Sequence, residues 1–177
     1  MRKLKNSELE RLMPKEYKKS KKAPITIVLD NIRSLNNIGS IFRTADAFKI
    51  EMIMLCGITA QPPHREIQKT ALGATDTVEW QYCKTQKKTI SYLKENNFNI
   101  YPIEQTTKKI WLEEFSPKKE KIALVFGNEV KGVSNLFLKE AKNCIEIPQL
   151  GTKHSFNVAV SAGIVLWQVY KTMNFYK

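Results

Sequence analysis

An α/β fold, with a mostly parallel sheet flanked by helices on both faces, is what this sequence predicts. Three observations carry the prediction. From Ile25 onward, short β-branched or apolar runs alternate with helix-periodic segments. No apolar run approaches the roughly 18 residues needed to span a membrane. A glycine-bearing turn, "VFGNEVKGVS" (Val125–Ser134), directly follows an apolar run. That places it at the carboxyl edge of the sheet, where open α/β sheets bind ligands.

The elements follow in order. Residues 1–22 read as a basic arm ahead of a folded body over residues 23–177. In the arm, "NSELERLMPKEY" sets Ser7 three residues before Glu10, the pattern of a capped helix, with Pro14 limiting its length. "KKSKKAP" reads as a short linker. "ITIVL" is a β-branched strand, and "NIGSIFRTADAF" a helix that Asn36 or Asn37 can cap. "EMIMLC" is a strand, "PHREIQKTAL" one or two helical turns, "DTVEWQY" a short strand, "KKTISYLKENN" a helix and "FNIYPI" a strand. "KIALVF" is a strand, "VSNLFLKEA" a helix and "CIEIP" a last strand. The last helix, within "SFNVAVSAGIVLWQVYKTM", has little polar face between Phe156 and Val169, and a helix apolar all round must be covered all round. Ala159, Ala162, Gly163 and Leu166 add a small-residue stripe on which a second copy of the chain could sit. A central position inside one subunit would cover the helix equally well.

Composition narrows the function. A chain of 177 residues is most simply one domain. Cys56, Cys83 and Cys144 are odd in number and lack CxxC spacing, as expected of reduced thiols in the cytoplasm. His64 and His154 belong to no metal-binding pattern, so no metal is expected. The N-terminus is basic but has no apolar signal region. Lys and Arg number 29 against 17 Asp and Glu, a net charge of +12. Such an excess suits a nucleic-acid partner, because neutralised phosphates release counterions. Residues 1–22 hold nine of the basic residues and three Glu, about half the net charge.

Three stretches could carry chemistry. In "LDNIRSLNNIGSIFRTADAF", Ile38, Ile41, Phe42 and Ala45 line a buried stripe, and Arg43 falls off it, nearly in line with Asn36. Arg43 is either a solvated helix arginine or part of a positive, donor-rich corner suited to a phosphate. In the glycine turn, Gly127 and Gly132 have phosphate-loop spacing and Ser134 stands at the Mg²⁺-hydroxyl position, but Val133 replaces the required lysine and Glu129 sits within the loop. The turn suits a ligand that is neutral or cationic where it meets the loop, or is simply a strand-to-helix connection. In "IPQLGTKHSFNVAVSAG", Ser155 and Asn157 enter beside very apolar neighbours and each needs a partner. Capping explains Ser155 better than Asn157.

In this order the three stretches resemble the motifs of the SpoU (TrmH) family of RNA ribose 2′-O-methyltransferases, within the SPOUT superfamily. The first motif, an Asn six residues before an Arg with an A-x-A-F-like tail, is met by Asn37, Arg43 and "TADAF". The second, F-G-x-E-x-x-G, is met by "FGNEVKG". The third is met by "IPQLGTKHSFNVAVSA", with Phe156 in place of the usual Leu. Lys49 stands where a turn glycine is common. The resemblance runs from about Ile25 to Tyr170.

The resemblance implies a deep trefoil knot near the C-terminus, where connection rules alone would favour an unknotted doubly wound sheet. It also implies a homodimer, S-adenosylmethionine as methyl donor and an RNA substrate; the lack of a dedicated recognition domain favours tRNA over rRNA. Gly127, Ile147 and Phe156 would contact the cofactor. Arg43 would grip a phosphate and polarise the ribose hydroxyl, since a guanidinium is a poor base. Asn37, Glu129, Ser155 and Asn157 would orient arginine, ribose and cofactor. A non-catalytic RNA-binding module of the same fold is the alternative.

Overall fold

The computed structural model describes residues 1–118 and 120–175. The strands are β1 (Ala23–Asp30), β2 (Ile50–Cys56), β3 (Glu79–Cys83), β4 (Asn99–Pro102), β5 (Lys109–Trp111), β6 (Ile122–Gly127) and β7 (Cys144–Glu146). The helices are α1 (Pro14–Lys19), α2 (Leu35–Ala47), α3 (Arg65–Ala71), α4 (Ala74–Thr77), α5 (Gln86–Glu95), α6 (Asn135–Glu140) and α7 (Val158–Thr172). Five strands form one parallel sheet in the order β3-β2-β1-β6-β4.

β1 is flanked on both sides, so its alternating side chains are buried on both faces. Ile25, Ile27 and Leu29 join a core with α2 and α7, whereas Val28 joins a second core with Ile90 and Leu93 of α5 and Phe137 of α6. The α2 stripe is as expected: Ile38, Ile41, Phe42 and Ala45 are fully buried and Arg43 is exposed.

Four expectations need correction. The arm's α-helix begins at Pro14 instead of ending near it, because proline at a first helical position gives up no needed N–H. Ser7 lies only in a short 3₁₀ turn. Ser34, not Asn36 or Asn37, caps α2, its hydroxyl accepting from the Asn37 amide at 3.3 Å. "CIEIP" contributes only Cys144–Glu146 as strand, and β7 leaves the main sheet to pair in parallel with β5, a strand the sequence did not suggest. A single bridge between Ile103 and Ile145 ties this small sheet to the end of β4. Ala162 and Leu166 are buried in the chain's own core, so they offer nothing to a second chain.

The arm is partly docked. Tyr17 is buried, its hydroxyl donates to the Asp46 carbonyl at 3.2 Å, and the Lys22 ammonium lies over its ring. Among the described residues, no helix is long and apolar enough to cross a membrane.

Candidate active site

The carboxyl ends of β4, β6 and β7 and the approach to α7 surround a cavity of about 550 Å³. That is within the ~300–1,000 Å³ range of small-molecule sites. Ile103, Glu104, Phe126 and Gly127 line it from the sheet, and Asn128, Glu129, Val130 and Gly132 from the glycine loop. Ile145, Glu146 and Ile147 line it from β7 and its exit, and Ser155, Phe156, Asn157 and Val158 from the approach to α7.

The glycine loop is closed on itself. Asn128 and Gly132 exchange backbone hydrogen bonds of 3.0 and 2.9 Å, and the Asn128 side-chain oxygen accepts from the Val130 and Lys131 amides, each at 3.0 Å. The Val133 amide donates to the Glu104 carboxylate at 3.0 Å. These amides are therefore spoken for, and none is left to cradle a phosphate. Ser134, at the position of a magnesium-binding hydroxyl, has its side chain buried, and its amide donates to Asp30 at 2.8 Å. Gly127 is required by backbone contact and Gly132 by its left-handed conformation. A Cβ on Gly127 would overlap the backbone of Gly132 and Val133, and one on Gly132, where φ is +68°, would overlap the Glu104 carboxylate.

Glu129 joins this loop to the start of α2. Its carboxylate accepts from the Arg33 and Ser34 amides, both at 3.0 Å, and from the Asn37 side chain at 3.4 Å. An anion there also complements the positive end of the helix. Partial burial pushes the Glu129 carboxyl up, but the amide donors outweigh it and hold the carboxyl below its ordinary value. A depressed carboxylate stabilises the fold above its unfolded pKa, and that contribution is lost as pH falls through the folded value. Glu129 is exposed and its charge is screened by solvent, so Glu129→Gln is expected to lower the melting temperature at pH 7 by only about 1–2 °C. The gap should close in scanning calorimetry below the ordinary carboxylate range.

Asn157 completes the connection. Its side-chain oxygen caps α7, accepting from Ala159 and Val160 amides at 2.9 and 3.3 Å, and its side-chain N–H donates to the Asn37 side-chain oxygen at 3.1 Å. The capping role expected of Ser155 thus belongs to Asn157, and Ser155 is exposed at the cavity. All three stretches singled out in the sequence meet in one chain of contacts, Asn157 to Asn37 to Glu129.

Of the expected site residues, Gly127, Glu129, Ile147, Ser155, Phe156 and Asn157 line the cavity. Asn37 reaches it through its hydrogen bonds. Arg43 does not line it. Exposed on α2, its side chain makes no hydrogen bond or ion pair among the described residues. Two residues were missed. Glu104, which fixes Val133 and also accepts from the Gln105 amide at 2.9 Å, stands in no motif. Asn128 occupies an unspecified position of the second motif. Among the described residues, no cluster of three or more His, Cys, Asp or Glu could hold a metal ion.

The model of the SpoU rRNA Methylase family matches residues 24–167. The chain belongs to this family. A tRNA/rRNA methyltransferase of Borreliella burgdorferi, named as uncharacterized, is 31% identical over 159 residues, covering 88% of this chain and 68% of that one. The 23S rRNA (guanosine-2′-O-)-methyltransferase RlmB of Blochmanniella floridana is 28% identical, covering 84% of this chain and 58% of that one. Among solved structures, an AdoMet-bound rRNA methyltransferase from Sinorhizobium meliloti superposes with a TM-score of 0.78 at 25% identity, covering 84% of this chain and 56% of that one. The chain thus spans from just over half to about two-thirds the length of these relatives. The SpoU methyltransferase AviRb from Streptomyces viridochromogenes, in complex with AdoMet, shares the fold with a TM-score of 0.80 at 18% identity, covering 90% of this chain and 64% of that one.

Proposed function

We propose that this chain is an S-adenosylmethionine-dependent methyltransferase of the RNA ribose 2′-hydroxyl, acting in the cytoplasm on tRNA or rRNA, with tRNA the first substrate to test. The observation that carries the reading is the cavity at the carboxyl edge, where a loop whose Asn128, Val130, Lys131, Gly132 and Val133 amides are all engaged meets the carboxylates of Glu104 and Glu129, Glu146 being paired with Lys109 at 2.8 Å. Such a lining disfavours a triphosphate and suits a ligand with cationic groups. S-adenosylmethionine, when bound, supplies an electrophilic methyl on a sulfonium. Gly127, Ile147 and Phe156 would hold it, and the Asn157–Asn37–Glu129 contacts would keep the loop and both helix starts in register. Positioning of this kind supplies a large part of catalysis in a displacement with few covalent steps.

Arg43 would reach the chemistry from a second copy. It lies off the cavity of its own chain, on a helix that packs beside α7. On α7, Val160 and Trp167 are 51% and 57% exposed, and with half-buried Gly163 and Ile164 they form an outward apolar stripe at helical spacing. A symmetric dimer covering that stripe would place the neighbouring face of α2, with Arg43, against the partner. The C-terminal trefoil knot belongs to this reading through the family likeness. The docked basic arm, residues 1–22, would add affinity for RNA without sequence choice, leaving residues 23–177 as the catalytic body.

Titration calorimetry tests the pocket. S-adenosylmethionine is expected to bind at about micromolar affinity and ATP not to bind, since ATP offers the loop only anionic phosphate. The reverse preference would contradict the reading.

A further inference from the structure

A second groove, of about 590 Å³, lies between the edge strand β3 and α5, lined by Gln81, Tyr82, Cys83, Lys84, Lys87, Lys88, Ser91, Tyr92 and Glu95. Lys84, Lys87 and Lys88 are exposed, and their side chains make no hydrogen bond or ion pair among the described residues. Nearby Lys94, by contrast, is paired with Glu140. Glu95 is the acidic residue among the lining, so the groove is net positive. Its two tyrosines are half-buried and pinned, the Tyr82 hydroxyl donating to the Gly57 carbonyl at 3.0 Å and the Tyr92 hydroxyl contacting the Met52 sulfur at 3.7 Å. The groove wall is therefore rigid while its charges are free.

We propose that this groove is a contact surface for the sugar-phosphate backbone of the RNA substrate, remote from the methylated ribose; it rests on the reading of the chain as an RNA methyltransferase. The lysines stand at positions 84, 87 and 88 around the start of α5, where the Thr85 hydroxyl accepts from the Lys88 amide at 3.3 Å and caps the helix. Separated point charges of this kind suit a polyanion more than a single bound phosphate. Tyrosine ring surface beside them suits an unstacked base. The place is favourable too. All strands of the main sheet run parallel, so Lys84, just after β3, is on the same carboxyl edge as the Gly127 turn. It stands three strand spacings away, about 14 Å, and exposed Arg33 follows β1 between them. α5 packs on the sheet face opposite α7, so a second copy seated on α7 leaves the groove open.

The test compares the full chain with a Lys84→Gln/Lys87→Gln/Lys88→Gln variant. Binding of end-labelled bulk bacterial tRNA is measured across a salt series, beside calorimetry with S-adenosylmethionine. The variant should bind S-adenosylmethionine as the parent does, which also shows that it is folded. Its RNA affinity should fall about tenfold or more at low salt, and the slope of log K against log salt should shrink by about 2, the loss of three phosphate contacts on a single strand. In the parent, RNA but not S-adenosylmethionine should protect these three lysines from acetylation, read by mass spectrometry. An unchanged affinity and slope, with the lysines equally acetylated in bound and free protein, would overturn the groove proposal alone. A parent chain that binds no RNA in any salt would instead overturn the methyltransferase reading on which it rests.

Discussion

Arg43→Ala is expected to abolish methyl transfer, by at least the ~10²-fold typical of losing one charge-stabilising donor, while S-adenosylmethionine affinity stays within a few-fold. The split follows from geometry: Arg43 lies off the cavity, so nothing it touches in its own chain holds the methyl donor. Its charge is free to grip a phosphate and polarise the neighbouring hydroxyl. The proposed dimer sharpens the expectation. In a mixture of Arg43→Ala chains with chains whose pocket is disabled, each mixed dimer would keep one intact arginine facing one intact pocket. About a quarter of parental activity should return in a randomly associating symmetric dimer. If Arg43 served the pocket of its own chain, the mixture would stay silent.

Gly127→Val supplies that disabled pocket and is the second large effect. Already a Cβ overlaps the backbone of Gly132 and Val133, and a β-branched side chain leaves no rotamer that avoids them. The loop must open, giving up the paired Asn128–Gly132 hydrogen bonds and the Val133–Glu104 contact. S-adenosylmethionine binding is expected to fall by about 10²-fold or more, since lost hydrogen bonds and a displaced wall add at the same point. The main sheet should survive, because its β1–β6 pairing ends at Gly127. Retained far-UV circular dichroism with lost calorimetric binding is the expected pair of results. Unimpaired binding would show that the cofactor is held elsewhere.

How much of this was legible in the sequence depends on whether a signal was local. Strand and helix alternation was legible because short continuous β-branched runs and the 3.6-residue period of the α2 stripe are both local signals. β5 was not: Lys109–Trp111 is three residues long and gains its partner only when β7 arrives from 35 residues further on. The fate of "CIEIP" was hidden for the same reason, since sheet membership is a tertiary choice. Glu129 was visible as an odd carboxylate in a glycine loop, but its partners, the Arg33 and Ser34 amides, are more than 90 residues away. Ser155 and Asn157 were both plausible caps. Asn157 serves because the helix starts at Val158, directly after it, and its side-chain N–H is then left to donate to Asn37. Glu104 had no signal at all, because its role consists of holding a backbone 29 residues later.

The central claim is that the cavity between the glycine loop and the start of α7 delivers a methyl group to an RNA ribose. Incubating the chain with S-adenosylmethionine carrying a deuterated methyl and total RNA from cells lacking its gene, then digesting the RNA to nucleosides for mass spectrometry, tests it most directly. The account predicts a deuterated 2′-O-methyl nucleoside that disappears with Arg43→Ala. Label found only on bases, or on no nucleoside, would contradict it.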